Sequence, residues 1–170
     1  MSHWVFGYGS LIYKADFPYH ERIAGSITGW QRRFWQGSHD HRGTPEAPGR
    51  VATLVAAAGQ PCGGMGYCIS EGVFEHLDHR EKNGYQRVDT AMALVDGRHV
   101  EATVYIADAD NHAFLGPDSL PLIAEQIRAS HGPSGANRDY LLELASALRD
   151  LEIEDEHVFA LEALLREPAG

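Results

Sequence analysis

The order of the periodic segments along the chain constrains the fold more than any other feature of the sequence. Up to Ala107, apolar residues fall in the short runs and alternations typical of strands, with one short helical stretch among them. Beyond it they recur three and four positions apart, as in amphipathic helices. Strands followed by helices indicate an α+β fold instead of the strict alternation of a doubly wound parallel sheet. Because 170 residues suit one ordinary domain, we predict a single domain over residues 1–170.

Turn and capping residues mark where these elements begin and end. We predict strands at 3–6, 21–35, 50–57, 63–69, 85–95 and 98–106, and helices at 70–82, 118–130, 137–148 and 155–166. The segment 21–35 is either one long bent strand or two strands. Ser70 is expected to cap the first helix, and Gly84 suits the position just past its end. Asp96-Gly97 is a strong hairpin signal between the last two predicted strands.

Charge and cysteine content exclude several classes of partner and compartment. Fourteen Lys and Arg against 24 Asp and Glu give a net charge of −10, so we expect no binding to nucleic acid or to membrane surfaces. Two cysteines, Cys62 and Cys68, are too few for a disulfide framework and are expected to be reduced. The first 14 residues lack the features of a signal peptide, and no segment approaches a membrane span. We therefore expect a cytoplasmic protein.

The first candidate site is the turn Gly7-Tyr8-Gly9-Ser10, directly after the first predicted strand. A dinucleotide fingerprint would need glycine at position 12, which is Ile12, and the sequence also lacks the pattern of a Walker loop or a nucleophile elbow. Two glycines can still expose consecutive backbone N–H groups that hold a carboxylate or a developing oxyanion. A plain tight turn is the alternative.

The second candidate is Glu81, within a charged run at the end of the first predicted helix. A carboxylate there faces the negative end of the helix dipole, which favours proton uptake and suits the group to acid/base work. The alternative interpretation is a solvated charge run. Histidine pairs such as His76 and His79 raise the possibility of a metal protein, but no established ligand motif accompanies them, so we predict no metal site.

The loop 36–50 is locally basic in an acidic protein. Arg32 and Arg33 precede it and Arg42 and Arg50 lie in it, whereas residues 150–167 carry seven acidic side chains and one arginine. Two interpretations remain open: the loop binds a small anion, or its arginines form ion pairs with the acidic helices.

Short strings along the chain resemble the ChaC-like family of glutathione-specific γ-glutamylcyclotransferases. They are VFGYGSL at 5–11, RFWQGS at 33–38, DHRGTP at 40–45, PGRV at 48–51, REK at 80–82 before GY at 84–85, LGP at 115–117, and GPSG at 132–135 before Asn137 and YL at 140–141. The chain departs from the family pattern at Tyr13, His39 and Asn83. None of these departures removes a residue expected to be catalytic.

The resemblance implies a γ-glutamylcyclotransferase-like fold, a mixed sheet or small barrel with packed helices. It also implies cleavage of glutathione to 5-oxoproline and cysteinylglycine without metal or cofactor, with Glu81 as the catalytic acid/base. The turn formed by Gly7, Tyr8, Gly9, Ser10 and Leu11 would hold the γ-glutamyl group, through either its α-carboxylate or its oxyanion.

Two tyrosines and one loop complete the predicted site. Tyr85 and Tyr140 are candidate hydroxyl donors to the substrate, with core packing as the alternative for both, and the loop 36–50 is the candidate contact for the cysteinylglycine end. Other functions remain open. These are a cyclotransferase acting on other γ-glutamyl amino acids or γ-glutamylamines, and a non-catalytic domain that binds γ-glutamyl compounds.

Overall fold

A computed structural model of the protein describes residues 2–81, 85–107 and 111–167. The strands are β1 (Ser2–Gly7), β2 (Glu21–Ser38), β3 (Gly49–Ser70), β4 (Gln86–Leu94), β5 (His99–Ile106), β6 (His131–Gly132) and β7 (Gly135–Ala136). The helices are α1 (Glu71–Glu81), α2 (Leu120–Ala129), α3 (Asn137–Asp150) and α4 (Glu156–Arg166), and a 3-10 turn covers Ser10–Ile12. The predicted order of strands, one helix, strands and then helices is confirmed.

The described part of the chain divides into two compact units. The first unit comprises Met1–Gln31 and Leu54–Asn111, and the second comprises Arg32–Thr53 and His112–Gly170. The prediction that residues 1–170 form a single domain stays a prediction.

The first unit is built on a closed barrel with strand order β1-β3-β2-β4-β5. The sheet is mixed, because β1 pairs antiparallel with β3 and parallel with β5. Side chains that alternate inward along the strands form its core. The buried core residues are Phe6, Ile27, Leu54, Cys62, Met92, Leu94, Ala102, Val104 and Ile106. Both cysteines are free thiols, as predicted.

The β4–β5 hairpin turns where the sequence predicts it. Gly97 has φ +96°, a conformation that favours glycine, and the backbone N–H of Leu94 donates to the carbonyl of Arg98 at 2.8 Å. Helix α1 begins after Ser70, whose Oγ accepts from the N–H of Val73 at 3.3 Å, so the predicted cap is also confirmed. The predicted stop at Gly84 lies outside the described residues.

The strand predictions were wrong in one place and incomplete in another. The segments 50–57 and 63–69 belong to one continuous strand, β3, and the two-residue strands β6 and β7 were not predicted. Gly59 and Pro61 suggested a break within β3, but this stretch is exposed, where a strand tolerates a glycine at φ +76° and a missing N–H donor. Strands of two residues are too short to show an alternating pattern.

The second unit packs α2, α3 and α4 through their apolar faces. Its buried helical side chains include Ile123, Ile127, Leu141, Leu144, Leu148, Val158, Leu161 and Leu165. Ser119 caps α2 by accepting from the N–H of Leu122, and Asp155 caps α4 by accepting from the N–H of Val158. Among the described residues, no helix has the length and apolar content needed to cross a bilayer.

The half-buried imidazole of His157, on α4, should make stability depend on pH. Its Nε2 accepts from the backbone N–H of Phe34 at 2.9 Å, and burial, with a smaller contribution from the charge of Arg33, lowers its pKa to about 4. The unfolded chain therefore binds the proton first, and stability falls as the pH drops from about 6.5 towards 4.

We expect the free energy of unfolding to decrease by about 2 kcal/mol between pH 7.5 and pH 5 through this one group. Chemical denaturation at both pH values measures the decrease. The matched variant His157→Gln keeps an acceptor for the Phe34 N–H but does not titrate, so its decrease should be smaller by that amount. Equal decreases in the two proteins would contradict the assignment.

Candidate active site

The glycine turn follows β1 and leads directly into the 3-10 turn. Gly7 is buried, and a Cβ built at this position would lie 2.5 Å from the Cβ of Leu11, so only glycine allows this close approach. The N–H of Ile12 donates to the carbonyl of Gly9 at 2.9 Å, and that of Lys14 donates to the carbonyl of Ser10 at 2.8 Å. The first N–H groups of a helical turn have no acceptor within the turn itself, and the predicted contact of this turn with an anion stays a prediction.

Side chains hold the turn from its carbonyl end. The hydroxyl of Tyr67, which is fully buried, donates to the carbonyl of Leu11. Arg22 donates through Nη2 to the carbonyl of Ile12 at 2.7 Å and through Nε to the Tyr67 hydroxyl at 3.2 Å. These hydrogen bonds to the carbonyls of Leu11 and Ile12 fix the position of the turn on the barrel.

Glu81 lies at the end of α1, as the sequence predicts, and its side chain is 26% exposed. Arg80 approaches its Oε1 with Nη2 at 3.0 Å and also binds Asp16 through Nη1 at 2.9 Å. Burial lowers the pKa of the Arg80 guanidinium, but the hydrogen bonds and charges of Asp16 and Glu81 outweigh it, and the net shift is upward. Glu81 therefore has a cationic neighbour, Arg80, and remains partly accessible to solvent.

Arg80 and Glu81 pair although consecutive side chains on a helix generally do not face each other. The long, flexible side chain of Arg80 nevertheless reaches Glu81 at the end of α1.

Tyr105, at the end of β5, connects the glycine turn with α1. Its backbone carbonyl accepts from the hydroxyl of Tyr8 at 2.7 Å, and its own hydroxyl donates to Oδ1 of Asp78 at 2.9 Å. Asp78 precedes Glu81 by three positions on α1, so the two carboxylates lie on one face of the helix. Burial raises the pKa of the Tyr105 hydroxyl, and the charges of Asp78 and Glu81 raise it further.

Sequence reasoning did not find Asp78 or Tyr105. For Asp78, a signal was present in its spacing of three residues from Glu81. For Tyr105, the sequence gives no signal, because its contact with Asp78 joins residues 27 positions apart.

The two candidate tyrosines lie in different units. Tyr85, just before β4 in the first unit, is 37% exposed. Tyr140, on α3 in the second unit, is 6% exposed, and its hydroxyl accepts from the N–H of Ala52 at 3.2 Å. Its ring lies under the guanidinium of Arg42 at 5.6 Å and contacts Phe34 edge to face. The predicted contacts of both tyrosines with a substrate stay predictions.

Two arginines, one that precedes the loop 36–50 and one that was predicted to lie in it, have structural partners inside the second unit. Arg32 is buried and pairs with Asp155 at 2.6 Å, which is the predicted ion pairing with an acidic helix. Arg50 is buried and donates to Gln126 and to the carbonyls of Phe34 and Gly116. Burial lowers the pKa of Arg50, partly offset by the charge of Asp118.

Residues 3–168 match the family model described as ChaC-like protein. The chain belongs to the ChaC-like family. Members of this family among its relatives include the Arabidopsis thaliana protein named Gamma-glutamylcyclotransferase 2-3, which is 45% identical over 93% of this chain and 85% of its own length. The Danio rerio protein named Glutathione-specific gamma-glutamylcyclotransferase 1 is 41% identical over 95% of this chain and 88% of its own length.

A solved structure extends this likeness to three dimensions. The crystal structure of a selenomethionine-labelled γ-glutamyl cyclotransferase specific to glutathione from yeast superposes with a TM-score of 0.86 at 35% identity, covering 96% of this chain and 95% of the yeast chain. This similarity confirms the γ-glutamylcyclotransferase-like fold expected of a ChaC-like chain. The chain therefore has the fold of an enzyme family, and the relatives given above are named as γ-glutamylcyclotransferases.

Proposed function

We propose that this protein cleaves glutathione by cyclisation of its γ-glutamyl group, releasing 5-oxoproline and cysteinylglycine. One observation carries the proposal: relatives named as glutathione-specific γ-glutamylcyclotransferases align with this chain over most of both lengths, 95% and 88% for the zebrafish protein. Belonging to an enzyme family, the chain also retains a carboxyl group at the expected position, Glu81 at the end of α1.

The reaction needs no nucleophile from the protein. The α-amine nitrogen of the γ-glutamyl group attacks the carbonyl carbon of its own γ-amide, and a C–N bond closes the five-membered lactam. The amide C–N bond to cysteine then breaks, and the leaving nitrogen takes up a proton. Because nucleophile and electrophile belong to one molecule, holding the substrate folded supplies a large part of the rate gain.

Glu81 is proposed to carry the proton between the two nitrogens. An α-amine is mostly protonated at neutral pH, so a base must remove a proton before the attack, and an acid must protonate the departing amine. A single carboxyl can do both in turn. Its partial exposure leaves room for a substrate, and the Arg80 guanidinium lies 3.0 Å from its Oε1.

The glycine turn is proposed to bind the anionic part of the same substrate. Its N–H groups either stabilise charge that develops on the γ-carbonyl oxygen, at about 3 kcal/mol for each donor, or hold the α-carboxylate. Tyr8, Gly9, Ser10 and Leu11 form this binding element together with Gly7, which allows the close approach to Leu11.

Incubation of the purified protein with glutathione tests the proposal directly. We expect equimolar 5-oxoproline and cysteinylglycine, identified by mass, with no added metal or cofactor. A γ-glutamyl dipeptide without the terminal glycine, used in parallel, separates a glutathione enzyme from a cyclotransferase of wider range. Binding without release of 5-oxoproline would instead indicate the non-catalytic domain.

Gly7→Ala should weaken substrate binding, because the new Cβ would meet Leu11 Cβ at 2.5 Å and displace the turn. We expect a loss of about 1–3 kcal/mol in unfolding free energy and a rise in the KM for glutathione. Denaturation and initial-rate kinetics measure the two effects.

Gly72→Ala is the matched control, because a Cβ on this exposed residue of α1 meets nothing within 4 Å. It should leave KM unchanged. An unchanged KM in Gly7→Ala as well would show that the turn does not bind the substrate.

We also propose that the protein works in the cytoplasm. Its two free thiols, Cys62 and Cys68, suit a reducing compartment. Fractionation of cells that express the protein, with a marker for each compartment, tests this assignment.

A further inference from the structure

Tyr105 is the residue through which the glycine turn and the end of α1 are joined. The strand β5 brings its backbone carbonyl to the Tyr8 hydroxyl at 2.7 Å and its side-chain hydroxyl to Asp78 at 2.9 Å. The carbonyl contact joins Tyr105 to the turn, and the hydroxyl contact joins it to the helix that ends in Glu81. One residue therefore fixes both parts of the proposed site, through two separable groups.

The hydroxyl of Tyr105 is suited to a permanent structural bond. The residue is 9% exposed, so water competes poorly for its contact with Asp78. Burial raises the pKa of this hydroxyl, and the hydrogen bond to Asp78 adds to the rise. It thus stays protonated and donates at any pH at which the enzyme works.

Asp78 lies where an anchor for Glu81 is needed. The last turn of a helix frays, because its carbonyl groups lack partners within the helix. Glu81 is the final residue of α1, and Asp78, with its side chain 14% exposed, stands less than one turn before it on the same face. Arg87 also approaches Asp78, at 3.5 Å, which holds the carboxylate in place.

We propose that Asp78 and Tyr105 are positioning residues, whose hydrogen bond holds the end of α1 so that the Glu81 carboxyl faces the substrate bound at the glycine turn. This inference rests on the proposed function. Neither residue exchanges a proton with the substrate. Their effect is on the geometry of Glu81, and a displacement of about 1 Å of such a group can cost as much as a hundredfold in rate.

Tyr105→Phe is the central test, because it removes the hydroxyl and keeps both the ring and the carbonyl that accepts from Tyr8. We expect kcat with glutathione to fall by about 10-fold to 100-fold, while KM stays within about twofold. The pH values at which the rate is half-maximal should not move, because Tyr105 does not titrate in the working range. A kcat within twofold of the wild-type value would overturn the inference.

Substitutions of Asp78 separate a hydrogen bond from simple packing. Asp78→Asn keeps an acceptor for Tyr105 and should retain kcat within about threefold, whereas Asp78→Ala should lose as much as Tyr105→Phe. The double variant Asp78→Ala/Tyr105→Phe should lose no more than either single variant, because both remove the same bond. Additive losses, or an asparagine variant as slow as the alanine variant, would count against the mechanism.

Thr103→Val provides the matched control. Thr103 lies two residues before Tyr105 on the same face of β5, and its hydroxyl donates to Asp89 at 2.8 Å, a carboxylate on β4 instead of α1. The Thr103→Val substitution removes an equivalent hydrogen bond from the barrel. It should lower thermal stability about as much as Tyr105→Phe does but leave kcat at the wild-type value. If kcat falls equally in this control, the effect of Tyr105 is general destabilisation.

The wild-type protein keeps failure of this inference distinct from failure of the proposed function. No 5-oxoproline from wild-type protein would refute the function itself. Normal turnover in the wild type and in Tyr105→Phe would refute only the positioning role.

Discussion

Replacing Glu81 by glutamine should lower kcat with glutathione by at least about a hundredfold, the usual contribution of a positioned acid/base group. Glutamine has nearly the same shape and can still accept from Arg80, so the fold and the end of α1 should persist. It cannot take a proton from the α-amine or return one to the leaving nitrogen. Initial rates of 5-oxoproline release, with circular dichroism and thermal denaturation of both proteins, measure the effect.

Glu75→Gln is the matched control for this experiment. Glu75 lies on the same helix and is exposed, so its replacement removes the same charge from α1 without touching the proposed site. The control should turn over glutathione at the wild-type rate. Near-normal activity in Glu81→Gln would remove Glu81 from the mechanism, and equal losses in both variants would indicate an effect of helix charge alone.

The local features of the fold were predictable because they depend on neighbouring residues. The cap at Ser70 and the turn at Asp96-Gly97 are encoded within a few positions, and both occur where the sequence predicts them. Glu81 lies at the end of α1, as predicted, for the same reason. The continuous strand β3 was missed, because tertiary context overrides the local breaking tendency of Gly59 and Pro61.

The contacts that organise the candidate site depend on distant residues and were not predictable. Tyr105 meets Asp78 across 27 positions and Tyr8 across 97. No alternation or spacing in the sequence reports such pairings. The sequence also left open whether the arginines in and before the loop 36–50 bind an anion or form ion pairs. Only the structure shows that Arg32 pairs with Asp155. Local motifs thus point to Glu81 as a candidate acid/base group, whereas the side chains around it are known only from the fold.

The geometry of Tyr105 also relates stability to the proposed chemistry. A reaction within one substrate molecule requires no nucleophile from the protein, so the enzyme must mainly hold two groups at a fixed separation. The turn is held by Tyr67 and Arg22, and the end of α1 is held through Tyr105. Both supports belong to the barrel, which is the rigid element on which precise sites are best built.

Replacing Asp155 by alanine should cause a large loss of stability in the second unit. The side chain of Arg32 is 1% exposed and that of Asp155 is 10% exposed, and their charged atoms lie 2.6 Å apart. Removing one partner of a buried ion pair costs about 3–5 kcal/mol. The same substitution removes the cap that Asp155 provides to the N–H of Val158, about 1 kcal/mol more.

Chemical denaturation at pH 7.5 measures this loss, and three further variants assign it. Asp155→Asn keeps the cap and a hydrogen-bond acceptor, so it should lose less than alanine. Adding Arg32→Met to Asp155→Ala removes the arginine charge as well. The double variant should regain part of the stability, because a buried ion pair can be replaced by apolar residues at little cost. Glu125→Ala breaks the exposed pair with Arg128 and should cost under about 1 kcal/mol. A loss in Asp155→Ala no larger than in Glu125→Ala would mean that the Arg32–Asp155 pair is solvated in solution.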